Sequence, residues 1–129
     1  MASVPKYGTY APQNNTMSIE ITNADPSSGR IQGTYTHKYT PEGQIDIDGN
    51  IGGYAWVKNN DGGSGTAPFS INFTVSKRPN GFPYCIVDFW NGFYTASDSL
   101  VMSGIRSYVK QDGTTQSVVL GTLEFFLQS

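Results

Sequence analysis

The sequence has little that would staple it, charge it or anchor it. One cysteine, Cys85, stands among 129 residues, so no disulfide can close within the chain. That usage fits a reducing compartment. The single histidine, His37, has no second histidine or cysteine cluster with which to share a zinc ion. Charged residues make up only 14%, the eight Lys and Arg are scattered, and the net charge is −2. This excludes the basic patch that nucleic-acid binding needs. No apolar run approaches the length of a membrane-spanning helix, and Met1 to Tyr10 lacks the apolar core of a signal peptide. The expected location is cytoplasmic, or secreted with the signal removed.

Enzyme signatures are missing too. There is no glycine-rich phosphate loop and no HExxH pair. A Ser or Cys85 nucleophile would need His37 and Asp88 brought to it as base and orienting acid by coincidence of fold. Cys85, just ahead of a strand, reads as a packed thiol. The expectation is a protein that is not an enzyme and uses no metal or cofactor.

What is present points to strands and turns. There are 15 Gly, and the 13% aromatics are mostly Tyr and Phe. Apolar residues alternate at period two almost throughout. Met17, Ile19 and Ile21 share one face, as do Ile31, Gly33, Tyr35 and His37, and Phe69, Ile71, Phe73 and Val75. Turn clusters separate the runs at Asn23 to Gly29, Pro41 to Gly43, Asn59 to Thr66, Lys77 to Phe82 and Gln111 to Gly113, with Asp48 to Asn50 a tight turn or bulge. The last runs are Tyr84 to Tyr94, Leu100 to Lys110 and Ser117 to Leu127. The count is about eight strands with short connections and no helix. One all-β domain over residues 1–129 is expected, an antiparallel up-and-down barrel whose closure removes exposed edges.

The alternation changes character along the chain. Early strands have one apolar and one polar face; later ones are apolar on both. Ile86 and Trp90 oppose Val87, Phe89 and Phe93, while Val118, Leu120 and Phe126 oppose Val119, Leu123, Phe125 and Leu127. A second subunit covering that surface explains it, giving a homodimer or homotetramer; N-terminal residues or loops would do the same. Tyr35 and His37 share the face of Ile31 and should point into the barrel. Asp88 shares the face of Ile86 and Trp90. If that face is inward, the carboxylate sits at the open mouth, pairs with His37, Lys77 or Arg106, or meets a ligand. If it is outward, Asp88 rims a subunit contact.

Several segments now align with a known pattern. Gly8-Thr9-Tyr10 opens like Gly-Thr-Trp, and Thr16 to Tyr35 is similar to a first hairpin ending in Gly-x-Tyr. Gly63 to Ala67 and Phe73 to Ser76 look like a loop and a central strand. Trp90-Asn91-Gly92-Phe93-Tyr94 is similar to Trp-Ser-Gly-x-Tyr, and Gly121 to Phe125 to a closing Gly-x-Asp-x-Phe. In this order and spacing, from Gly8 to about Phe125, the chain resembles the avidin and streptavidin family, whose eight-stranded barrels bind biotin and assemble as dimers or tetramers. The resemblance implies that Tyr35 is the tyrosine contacting the ureido oxygen and Trp90 one tryptophan of the cage. Asn15 or Thr16 stands near the first-strand serine, His37 replaces a serine, and Asp88 falls where a threonine is usual. Tyr108 is the nearest candidate for another cage wall. Ala11-Pro12 stands where the family has an asparagine, Leu123 (or, with one insertion, Glu124) where it has the closing aspartate, and Lys77 or Thr74 where it has the central tryptophan. Each missing polar partner costs about 1–3 kcal/mol, so biotin is expected to bind at reduced affinity or not at all. The expected function is non-catalytic binding of a small polar ligand by Asn15, Thr16, Tyr35, His37, Asp88, Trp90 and Tyr108. The alternative is a lectin or protein-interaction module on an oligomeric barrel, with Asn59 to Asp61 and Trp90-Asn91 as contact patches. Neither reading involves nucleic acid or a membrane.

Overall fold

A strand with one dry face needs apolar residues at every second position, and the computed structural model converts each alternating run into a strand. It describes residues 5–40, 43–58, 64–77, 85–95, 97–109 and 112–128, without the side chains at 39–40, 43, 56–58 and 64–69. In chain order the strands are β1 (Gly8–Ala11), β2 (Met17–Ala24), β3 (Arg30–Thr40), β4 (Gly43–Lys58), β5 (Ser64–Lys77), β6 (Ile86–Tyr94), β7 (Ser99–Val109) and β8 (Thr115–Leu127). Each pairs antiparallel with its neighbours in sequence, and β8 closes onto β1 through Tyr10↔Leu127 and Ala11↔Phe126. The expected eight-stranded up-and-down barrel is therefore present, with no helix among the described residues.

Boundaries differ from the alternation in places. β5 begins at Ser64, so Ser64 to Thr66 are strand and not loop. The turns expected at residues 41–42, 59–63 and 78–82 lie outside the described residues. Asp48 to Asn50 forms no hairpin: β4 runs through it, with a register shift where Gln32 faces Asn50 and Ile31 faces Gly52. The bulged residue is Ile51, just past the expected Asp48 to Asn50, which themselves pair in register with Thr34 to Gln32.

An eight-stranded barrel is just wide enough for side chains to fill. Tyr10, Ile19, Ile31, Phe73, Trp90 and Phe125 are among those fully buried in it. At one end the N-terminal segment is tied down. Tyr10 donates to the Lys6 carbonyl at 2.6 Å, and the Lys6 N–H donates to the Tyr94 hydroxyl at 3.2 Å.

Outside, the early strands are wet and the late strands are not. Phe89, Ile105 and Val119 form one row across β6, β7 and β8, and Phe93 and Val101 form another. All five are exposed, Val119 by 75%. The β8 face assignment from simple alternation needs one correction. A bulge at Leu120–Gly121, with Gly121 at φ +96°, shifts the pairing from Gly104↔Gly121 to Ile105↔Val119. It inverts parity, so Val118 lies on the face of Arg106 while Phe126 faces outward opposite Ser99.

Trp90 fits because its neighbour on β7 has no side chain. Gly104 pairs with Trp90, and a Cβ there would lie 2.5 Å from the indole Cε3. The ring has little room to retreat, being fully buried with its centroid 5.3 Å from that of Phe125 in a T-shaped contact. Gly104→Ala is expected to lower stability by about 1–3 kcal/mol through overpacking. Urea unfolding followed by tryptophan fluorescence measures this; an unchanged midpoint would show that the indole moves freely.

Candidate functional site

The site begins with a carboxylate in the wrong solvent. Asp88 lies inward on β6 between Ile86 and Trp90 and is only 2% exposed. An ionised carboxylate in such a place is costly unless donors surround it. The sheet register supplies the first. Arg106 is directly opposite on β7, and both residues are buried. Its guanidinium meets the carboxylate as a fork, Nε donating to Oδ1 at 2.7 Å and Nη2 to Oδ2 at 2.8 Å. Of the three partners open to Asp88 in the sequence, Arg106 is the one engaged as an ion pair.

The second donor comes from across the lumen. Tyr35 on β3 donates its hydroxyl to Asp88 Oδ2 at 2.6 Å, and Trp90 Nε1 donates to the Tyr35 oxygen at 3.3 Å. The four side chains thus bridge β3 to β6 and β7 through the barrel interior. Burial, and then the charge of Asp88, hold the Tyr35 phenol well above the usual tyrosine range. The hydrogen bonds from Arg106 to Asp88 raise the guanidinium further above its ordinary value, against the opposing effect of burial.

His37 and the apolar Ile45, Ile47, Val75 and Ile86 surround the cluster, with Lys77 at the margin. The free space left among them is ≈ 10 Å³, room for about one water. Larger hollows lie elsewhere. One of ≈ 300 Å³ runs along Cys85, Val87, Tyr108 and Gln116, and one of ≈ 410 Å³ along Pro12, Asn14, Leu123 and Phe126.

The seven residues expected to form one site therefore divide. Tyr35, His37, Asp88 and Trp90 come together in the lumen. Asn15 does not join them. It is exposed, at φ +53°, in the turn that Pro12 begins, where its N–H donates to the Pro12 carbonyl at 3.0 Å. Thr16 is held beside it by the Asn14 side chain, which accepts from its hydroxyl at 2.9 Å. Tyr108 sits at the rim and donates to Gln116. Leu123 packs against the core, and Glu124 faces outward, accepting from the Ser99 hydroxyl at 2.7 Å. Of the proposed sugar patches, Trp90 is fully buried beside an exposed Asn91, and residues 59–61 lie outside the described residues. Arg106 was absent from the expected site, although the parity of Leu100, Met102 and Gly104 on β7 puts it on the inward face.

Compared with protein-family models, curated proteins and solved structures, the chain matches none. The cluster's own atoms define what it can do. Both oxygens of Asp88 are engaged by donors, Oδ1 by Arg106 and Oδ2 by Arg106 and Tyr35, so the carboxylate fixes both side chains in place. Among the described residues no group of three His, Cys, Asp or Glu could hold a metal ion.

Two outcomes follow from the bridge. Asp88→Ala strands a guanidinium in the lumen and is expected to lower stability by about 3–5 kcal/mol, read from urea unfolding. A loss under about 1 kcal/mol would mean that water reaches Arg106. The second concerns alkaline pH. Tyr35 keeps its proton in the folded chain at pH values where an unfolded tyrosine, of pKa about 10, has lost it. Its contribution is complete below that value and falls as pH rises above it, by up to about 1.4 kcal/mol per pH unit. In Tyr35→Phe, the slope of stability against pH between 10 and 11.5 should be shallower by about that amount; an equal slope would put the alkaline sensitivity elsewhere.

Proposed function

We propose that this chain is a non-catalytic interaction protein that acts from the outer surface of its barrel, assembled with a second copy of itself. The observation that carries this reading is how little free space the described residues leave in the lumen beside the buried cluster. Small-molecule pockets run to roughly 300–1,000 Å³, and the space beside Tyr35 and Asp88 is ≈ 10 Å³. The second support is the outer face of β6, β7 and β8. Its rows Phe89–Ile105–Val119 and Phe93–Val101 are apolar, and Ser103 and Thr122 between them satisfy each other at 2.9 Å. Among the described outward residues of these strands the one charge is Glu124, already bonded to Ser99. Across a two-fold axis each side chain meets its own kind or a near neighbour. A nearly uncharged apolar face does so without repulsion.

A ligand in the lumen is the second reading, and a specific contact favours it. Tyr35 and Trp90, which correspond by resemblance to a ureido-binding tyrosine and a cage tryptophan, touch at 3.3 Å. Biotin is the ligand that resemblance names.

Sedimentation equilibrium and isothermal titration separate the readings. The chain should sediment as a dimer or tetramer at micromolar concentration, and Ile105→Asp should weaken self-association at least tenfold with an unchanged circular dichroism spectrum. Titration with biotin should release no heat. A monomeric wild-type chain sinks the proposal. Heat at one site per barrel, abolished in Tyr35→Phe, returns the function to the lumen. Binding on a glycan array by the oligomer, lost in the Ile105→Asp variant, would make the outer surface that of a lectin.

A further inference from the structure

Arg106 does to Asp88 what a bound molecule would do. Its head is planar, it offers two parallel N–H groups, and it meets two carboxylate oxygens at 2.7 and 2.8 Å. The receptor for that head is built from other strands. Asp88 comes from β6, and Tyr35 comes from β3 with its hydroxyl fixed on Oδ2 at 2.6 Å and braced by Trp90. These three side chains are 2%, 1% and 0% exposed. Val75 and Ile86 wall the chamber with apolar surface. Arg106 reaches it on an unbranched stem from the opposite position on β7. The free volume left beside the head is ≈ 10 Å³.

We infer that Asp88, Tyr35 and Trp90 form a guanidinium-binding site that the chain keeps occupied with its own Arg106. Cutting Arg106 back to the β-carbon makes the barrel a receptor for small guanidinium compounds. The recognition is by shape as well as charge. An ammonium ion carries the same charge but presents no planar pair of donors matched to both carboxylate oxygens. In the intact protein the tethered head is present at a high effective concentration and excludes free competitors. This inference does not depend on the dimeric outer face, since the chamber lies within one barrel.

The experiment uses full-length Arg106→Ala, with thermal unfolding measured in methylguanidinium chloride and, at matched ionic strength, methylammonium chloride. The expected result is a saturable rise in Tm with methylguanidinium, roughly 4 °C at ten times its Kd. Methylammonium should give none. Wild type and the double variant Asp88→Asn/Arg106→Ala should respond to neither. Should Arg106→Ala be unfolded on its own, the readout is the folded fraction by circular dichroism, which methylguanidinium should restore and methylammonium should not. The inference is overturned by an equal response to both cations, by no response to methylguanidinium in either readout, or by a response that survives loss of the Asp88 charge.

Discussion

A single carboxylate organises the interior. Asp88 is a buried charge with room for no more than about one water beside it, so the elements around it must bring donors to it. β7 brings Arg106 because the antiparallel register sets it opposite Asp88, and β3 brings Tyr35 from the far wall. Such a buried pair contributes little net stability relative to a well-packed apolar replacement. Its geometric consequence is stricter. A slip of β7 by one residue would turn Arg106 to the outside and leave Asp88 alone, so every other register carries the cost of an unpaired buried charge. The neighbouring contact reinforces this register, because only at Gly104 does β7 leave space for the Trp90 indole.

The same filling explains why the outside matters. Trp90, Phe125 and the ion pair use the inward positions of the late strands, and the bulge at Gly121 returns β8 to the inward parity that puts Phe125 against Trp90. Phe89, Phe93, Val101, Ile105 and Val119 on the outer face of these strands stay exposed. Early strands carry Glu20, Gln32 and Asn72 at exposed positions. The molecule therefore has a polar side and an apolar side, the asymmetry on which the proposed isologous contact rests.

Much of this is legible in the sequence wherever period two runs uninterrupted. The alternation of β3 carries Tyr35 and His37 inward, and that of β6 carries Asp88 to the face of Trp90. The shortage of charge then narrows the partners of Asp88 to His37, Lys77 and Arg106. What parity cannot supply is the pairing register, which decides among those three; nor can it foresee the bulge, which reverses the face of Phe126 relative to Val118. Positions carried over from the family resemblance divide by the same rule. Tyr35 and Trp90 lie on regular strands and meet. Asn15 and Thr16 lie in a turn bent by Pro12, which has no N–H to continue the β1 ladder, and Asn14 holds Thr16 in place.

The cost of opening the lumen weighs against a ligand there. A guest of biotin's size would have to displace the Arg106 head and take over Asp88, losing two charge-assisted hydrogen bonds worth about 1.5–3 kcal/mol each. It would also have to make space where ≈ 10 Å³ is free. A ligand could offset this only by presenting the same planar pair of donors, and even then it would compete with a group tethered to the wall of its own site. No such opposition exists on the face of β6 to β8. Burial of Phe89, Ile105 and Val119 there gains about 25 cal/mol per Å² of apolar surface and breaks no hydrogen bond.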